Sequence, residues 1–159
     1  MTEEPSKQSI AESNRTTYGG FWVRVGAALI DLVVMLVPIL LLSFLLLVVI
    51  SPTTHEEQLI YDVVDSLLGF ALWLVYTAGL HSSSWQATVG KRALGLKVTD
   101  LDGNRISFAR ATGRYLAEFL NLLTLGIGYI MVALTERKQG LHDKVASTYV
   151  VRTEEKGLF

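Results

Sequence analysis

The chain has 159 residues, half of them hydrophobic and 18% charged, with a formal net charge of -1. Such a length supports one domain, and the gathering of its apolar residues into blocks points to a membrane protein rather than a water-soluble globule. There is no cysteine, which excludes disulfides and thiolate metal sites and leaves the redox compartment unreadable from cysteine usage.

Residues 1–18 are polar and aperiodic, and are expected to form a disordered cytoplasmic tail ending at Gly19-Gly20. A membrane domain is expected over 19–152, followed by a tail over 153–159. Its first helix is predicted over 21–50, because the nineteen residues from Leu32 to Ile50 carry no charge and ~20 apolar residues cross the hydrocarbon core. The block is too long for a signal peptide and lacks a basic lead-in, so it is expected to remain. At 1.5 Å per residue the helix is roughly 45 Å long and must tilt, kink at Pro38 or begin in the interface. A second crossing is predicted over 58–80, with Asp62 and Asp65 near its start.

The link SPTTHEEQ has no Lys or Arg, whereas the segment after the second crossing carries Lys91, Arg92, Lys97, Arg105, Arg110 and Arg114. The positive-inside rule therefore puts that loop, 81–106, and the N-terminus in the cytoplasm. Within it, LGLKVTDLDGNRISF alternates about Asp102-Gly103 and predicts a short β-hairpin. Ser107 is a candidate N-cap for an amphipathic helix over 107–118, with Arg110, Arg114 and Glu118 at four-residue spacing and a basic face turned to headgroups.

The apolar block 119–135 leaves two alternatives, a third crossing or a re-entrant hairpin broken at TLGIG. The hairpin is preferred, since a crossing would export Arg137, Lys138 and Lys144, and non-helical backbone at depth is tolerated when helices cover it. The expected class is an all-α membrane protein: two transmembrane helices, an amphipathic helix, a re-entrant or third transmembrane segment, and a short cytoplasmic hairpin. Both termini are expected in the cytoplasm.

Several motif matches fail. VGKR is no phosphate loop, because Trp85 stands at the first glycine position and Arg92 where Ser or Thr would bind magnesium. DLDGN lacks the remaining ligands of a calcium loop. Asn14-Arg15-Thr16 is a glycosylation sequon on the wrong side of the membrane. His55, His81 and His142 are not at metal-ligand spacing. With no nucleophile-plus-base signature either, no enzyme, cofactor or metal is expected, nor a nucleic-acid partner.

What remains is charge set into apolar surroundings. Arg24 and Asp31 in FWVRVGAALID, the loop ATVGKRALGLKVTDLDG, the helix SFARATGRYL and the closing KQGLHDKVASTYVV resemble the RDD family of bacterial membrane proteins over roughly residues 18–152. The family is named for one arginine and two aspartates. The resemblance implies Arg24 as the arginine, Asp31 as the first aspartate and Asp143 as the second, with transport suggested and cation/proton exchange proposed for some members.

A carboxylate within the bilayer is costly unless protonated or paired, and Arg24 lies one heptad before Asp31 on the same face, so a pair between them is expected. Arg24, Asp31 and Asp143 are the candidate charge cluster, serving either as a structural clamp or as an ion and proton site. Asp62, Asp65 and Glu118 are secondary candidates; Asp62 and Asp65 either extend a path from outside or face water. Two function classes follow. One is monovalent cation/proton exchange in the bacterial inner membrane by a homo-oligomer, since two crossings do not enclose a path. The other is a non-transporting scaffold that binds anionic membrane lipid or a partner protein through its basic cytoplasmic face.

Overall fold

The structure is a computed structural model that describes residues 17–123 and 127–153. The tails over 1–16 and 154–159, and Thr124, Leu125 and Gly126 of the expected break, lie outside the described residues.

Helix α1 (Phe21–Ile50) is long and apolar, and it buries just one stripe, Ala27, Asp31 and Met35, at four-residue intervals. Its remaining apolar side chains, Val33, Val37 and Val49 among them, are largely exposed. A helix apolar all round needs a non-aqueous surrounding. It ends at Ser51, whose left-handed backbone lets its N–H reach the Leu47 carbonyl at 2.8 Å.

Helix α2 (His55–Ser82) opens on a capping box, with the Thr54 hydroxyl accepting from the Glu57 N–H and the Glu57 carboxylate accepting from the Thr54 N–H. That box moves its start three residues ahead of the position set by hydropathy alone. Ser43 of α1 donates to Asp65 at 2.7 Å, and Tyr76 donates to Asp31 at 2.6 Å. Partner numbers on α2 fall as those on α1 rise, so the two helices are antiparallel. Both are long and apolar enough to cross a membrane.

A cap closes the end of the pair where α1 begins and α2 finishes. Short helix α3 (Val89–Ala93) packs on α1, and there Gly90 is required: a Cβ at this position would stand 2.0 Å from the Ala27 carbonyl oxygen. Strand β1 (Leu96–Asp100) follows. The turn expected at Asp102-Gly103 forms, with Gly103 at φ 85 and the Asp100 carboxylate accepting from the N–H groups of Asp102 and Asn104. No second strand leaves it. The expected hairpin is therefore corrected: β1 pairs antiparallel with β2 (Thr148–Arg152) near the C-terminus, from Leu96 opposite Arg152 to Asp100 opposite Thr148. The segment past the turn instead buries Ile106 in the core and enters the next helix. Thr17 to Gly19 line the other edge of β2, with the Gly19 N–H bonded to Val150 and the Arg152 N–H to Thr17. Thr17 and Tyr18 thus belong to the cap rather than to a tail.

Helix α4 (Phe108–Leu123) is longer than the amphipathic pattern implied. Ser107 Oγ caps it by accepting from the Arg110 N–H. It packs along α2, where Phe70 meets Tyr115 and Phe119 with ring centroids 5.6 and 5.7 Å apart. The expected basic face is corrected at Arg114, which is only 2% exposed and points inward, while Arg110 stays on the outside with Phe108 and Leu116. Helix α5 (Ile127–Leu134) then leads to α6 (Leu141–Val145), which packs on α4 and α5 and delivers the chain to β2. Helix α4 therefore runs along α2, and the chain after α5 is back at the cap. A small core of Ala27, Ala78, Leu96, Val98, Ile106, Ala111 and Val150 joins helix pair and cap.

Candidate functional site

Two buried carboxylates organise the junction, and each has its own donors. Asp31, 4% exposed on α1, accepts from the Tyr76 hydroxyl and the Gly90 N–H on Oδ1, at 2.6 and 2.7 Å, and from the Thr88 hydroxyl on Oδ2 at 2.6 Å. Those donors come from α2 and from the first turn of α3, whose Thr88 is the N-cap. Asp31 thereby ties α3 and α2 to the first spanning helix.

Asp143 sits on α6 with no exposed surface. Arg24 Nη1 donates to its Oδ2 at 2.5 Å, and Arg114 donates Nε and Nη2 to its Oδ1 at 3.0 and 2.8 Å. The Gly140 N–H completes the set at 3.1 Å. Burial alone would raise this carboxyl, but the charges of Arg114 and Arg24 hold it well below the usual carboxylate range. The remaining Arg24 donors go to the carbonyls of Gly19 and Lys138. The expected Arg24–Asp31 pair is accordingly corrected. Arg24 turns back toward the cap and spends its fork on Asp143, where both carboxylate and carbonyls await it, while neutral donors from α2 and α3 reach Asp31.

The structure therefore joins Arg24 with Asp143 and places Arg24, Asp31 and Glu118 in the lining of one cavity of about 170 Å³, with Asp143 behind that wall. Glu118 lies 3.6 Å from Arg114 Nη1. Lys91, Tyr76, Thr88, Arg114, Trp73 and His142 complete most of the wall. Asp62 and Asp65 are not in the cluster. Asp62 is exposed and accepts from Gln58 at 2.9 Å, while Asp65 accepts from Ser43, both toward the opposite end of the pair.

The pKa values of Lys91 and His142 of the cap are displaced as well. Burial and the positive charge of Arg114 push Lys91 down to about 8 and His142 down to about 3, so His142 is neutral at physiological pH. Sequence reasoning missed Arg114, Lys91, Thr88 and Gly90 as site residues. ATVGKR held the available signal, a Thr N-cap followed by a glycine, which is what an N–H directed at a buried carboxylate requires. No group of three or more His, Cys, Asp or Glu side chains suited to a metal occurs among the described residues.

Two apolar antiparallel helices carrying a charged, buried junction at one end define a membrane protein. The chain belongs to the RDD family, whose model matches residues 18–147. It is 34% identical to an uncharacterized protein, YxaI, of Bacillus subtilis (strain 168), over 83% of this chain and 95% of that one. It is also 34% identical to the uncharacterized membrane protein YteJ of the same organism, over 89% and 85% of the two chains. With a third protein of that organism, uncharacterized YckC, identity is 31%, over 82% of each chain. No solved structure matches.

Proposed function

We infer that the protein is a multi-pass, non-enzymatic component of the bacterial cytoplasmic membrane, with its cap in the cytoplasm, and that it binds anionic lipid through that cap. The carrying observation is the cap's exposed charge. Arg92, Arg105, Arg110, Arg137, Lys144 and Arg152 are exposed there, against the exposed acids Asp102 and Glu136 among the described residues. Each such cation near an anionic leaflet contributes about 1 kcal/mol of attraction. The buried charges support a scaffold equally well, because Asp31 and Asp143 are both satisfied from within the chain.

The test is lipid enrichment. Protein extracted from mixed phosphatidylcholine and phosphatidylglycerol nanodiscs should carry more phosphatidylglycerol than the bulk, and charge reversal at Arg105, Arg110 and Arg137 should abolish the excess. Bound lipid that mirrors the bulk would sink this reading.

A second reading, monovalent cation/proton exchange, is favoured by one feature: Asp31, a carboxylate of the first spanning helix, lines a cavity with room for water. Two spanning helices enclose no path, so exchange requires a homo-oligomer. Proteoliposomes holding the purified protein should then move protons on a cation gradient, and Asp31→Asn should stop them. Equal movement by both proteins, or none by either, removes this reading.

A further inference from the structure

The cavity leaves cationic hydrogen-bonding capacity unused. Arg114 spends Nε and Nη2 on Asp143, but its Nη1 is buried without a hydrogen-bond partner. Glu118 Oε1, at 3.6 Å, is too far to accept a hydrogen bond from it. The Lys91 ammonium, on the same cavity wall, makes no hydrogen bond or ion pair with any described residue. These two cations are close enough that Arg114 is, after burial, the largest cause of the lowered Lys91 pKa.

The acids nearby offset part of this charge, Glu118 and Asp31 both drawing Lys91 back up, but none of them accepts a hydrogen bond from Arg114 Nη1. Both Asp31 oxygens already accept from Tyr76, Thr88 and Gly90, and Asp143 is held by two arginines and the Gly140 N–H. A buried donor left unmade is expensive, and two like charges on one wall repel each other. An acceptor with several charged oxygens relieves both, since charge-assisted bonds to Lys and Arg are among the strong ones. The space suffices, because about 170 Å³ is roughly ten times the ~15 Å³ that one water requires. Trp73, Val25 and Val132 give the cavity an apolar side. Ala28 and Tyr129, both lining it, are exposed, so it is reachable from outside the fold.

We propose that the cavity is a phosphate-type oxyanion site, in which Lys91 Nζ and Arg114 Nη1 together hold one phosphate group. It rests on the anionic-lipid reading only for the source of the phosphate, which is either a lipid headgroup or inorganic phosphate. Glu118, beside Arg114 Nη1, opposes the anion and weakens the site.

The experiment uses the full-length protein, with Lys91→Gln and Glu118→Gln as variants. In the first arm, inorganic phosphate is titrated against detergent-solubilised protein and thermal stability is followed. In the second, retention of a single phosphatidylglycerol molecule from nanodiscs is measured by native mass spectrometry. A saturable response in the first arm assigns the site to free phosphate, and retention in the second alone assigns it to a headgroup. In either case Lys91→Gln should weaken binding at least tenfold and Glu118→Gln should tighten it. The site is overturned if neither ligand binds saturably, or if both variants bind like wild type. Charge reversal of Arg105, Arg110 and Arg137 separates the two ideas: loss of bulk enrichment with the single retained lipid unchanged keeps the site. Enrichment that depends on those arginines but ignores Lys91 leaves only the surface reading.

Discussion

Removing the Asp143 carboxylate would leave Arg114, 2% exposed, and the largely enclosed Arg24 facing each other with no anion between them. Breaking a buried pair by removing one partner costs about 3–5 kcal/mol, so Asp143→Asn should be among the most destabilising substitutions in the chain. Asp31→Asn is milder. An amide oxygen still accepts from Gly90 and Tyr76, the Thr88 hydroxyl accepts from the new NH2, and the loss is on the order of 1–2 kcal/mol. Thermal unfolding in detergent should rank Asp143→Asn below Asp31→Asn, and the reverse order would make Asp31 the anchor. His142 adds an acid sensitivity. Its ordinary value of 6.5 falls to about 3 in the fold, chiefly through burial, so between those values the unfolded chain binds a proton that the folded chain refuses. Stability should therefore decline as pH is lowered from about 6.5 toward 3, with Asp143 adding to the loss below its ordinary 3.8. Melting temperature against pH for His142→Gln should be flatter between pH 6.5 and 4. A slope unchanged from wild type would mean that His142 is not held neutral.

Helix α3 has only five residues, yet its placement decides what Asp31 touches, and Gly90 decides its placement. An alanine there would put Cβ 2.0 Å from the Ala27 carbonyl oxygen and 3.0 Å from Asp31 Cγ. Backbone must move, the Gly90–Asp31 bond is lost, and the cost is about 2–4 kcal/mol from overpacking and an unmet acceptor. Gly79 on α2 is the control, since nothing lies within 4 Å of a Cβ there and glycine inside a helix is worse than alanine by roughly 0.5–1 kcal/mol. Melting should drop for Gly90→Ala and hold or rise for Gly79→Ala; equal behaviour would mean that α3 does not press on α1. The same contrast shows which elements were legible. Helix α1 was readable to its ends because an unbroken apolar run has a single physical use, and β1 was readable from its alternation. Its partner was not, because Thr148–Arg152 lies far along the chain and period-two patterns carry no address. The inward face of Arg114 was hidden for a related reason: four-residue spacing puts Arg110, Arg114 and Glu118 on one side of a helix without saying what that side meets. Of the site, Arg24 and Asp31 were visible as charge in apolar company and Asp143 only through the family resemblance, whereas Tyr76, Thr88 and Gly90 became meaningful as donors to Asp31 only once folding brought them there.

At the scale of the molecule, the cap restricts how the chain can be threaded through a bilayer. Thr17 to Gly19 and β1 flank β2 on its two edges, and Arg24 at the start of α1 binds Asp143 just before β2. N-terminal segment, middle loop and C-terminal segment are thus at one end of the helix pair. A third crossing would have to separate them, and α5, at eight residues, rises only about 12 Å against a hydrocarbon core of ~30 Å. The cytoplasmic side proposed above rests on charge. Exposed arginines and lysines crowd the cap, whereas the link between α1 and α2 has none, so the positive-inside rule predicts a cytoplasmic cap. A cytoplasm-dependent reporter fused after Phe159 should be active and an export-dependent one silent. The same reporters inserted between Ser51 and Thr54 should give the opposite result. Export-dependent activity at both positions would require the β1–β2 pairing and the Arg24–Asp143 bond to be absent in the membrane, whereas an exchange of the two results would put an intact cap outside. Cysteines at Thr99 and Tyr149, opposite each other in the sheet of a chain that has none of its own, supply the independent check: they should cross-link in isolated membranes if the cap is intact, and stay separate if the chain crosses a third time.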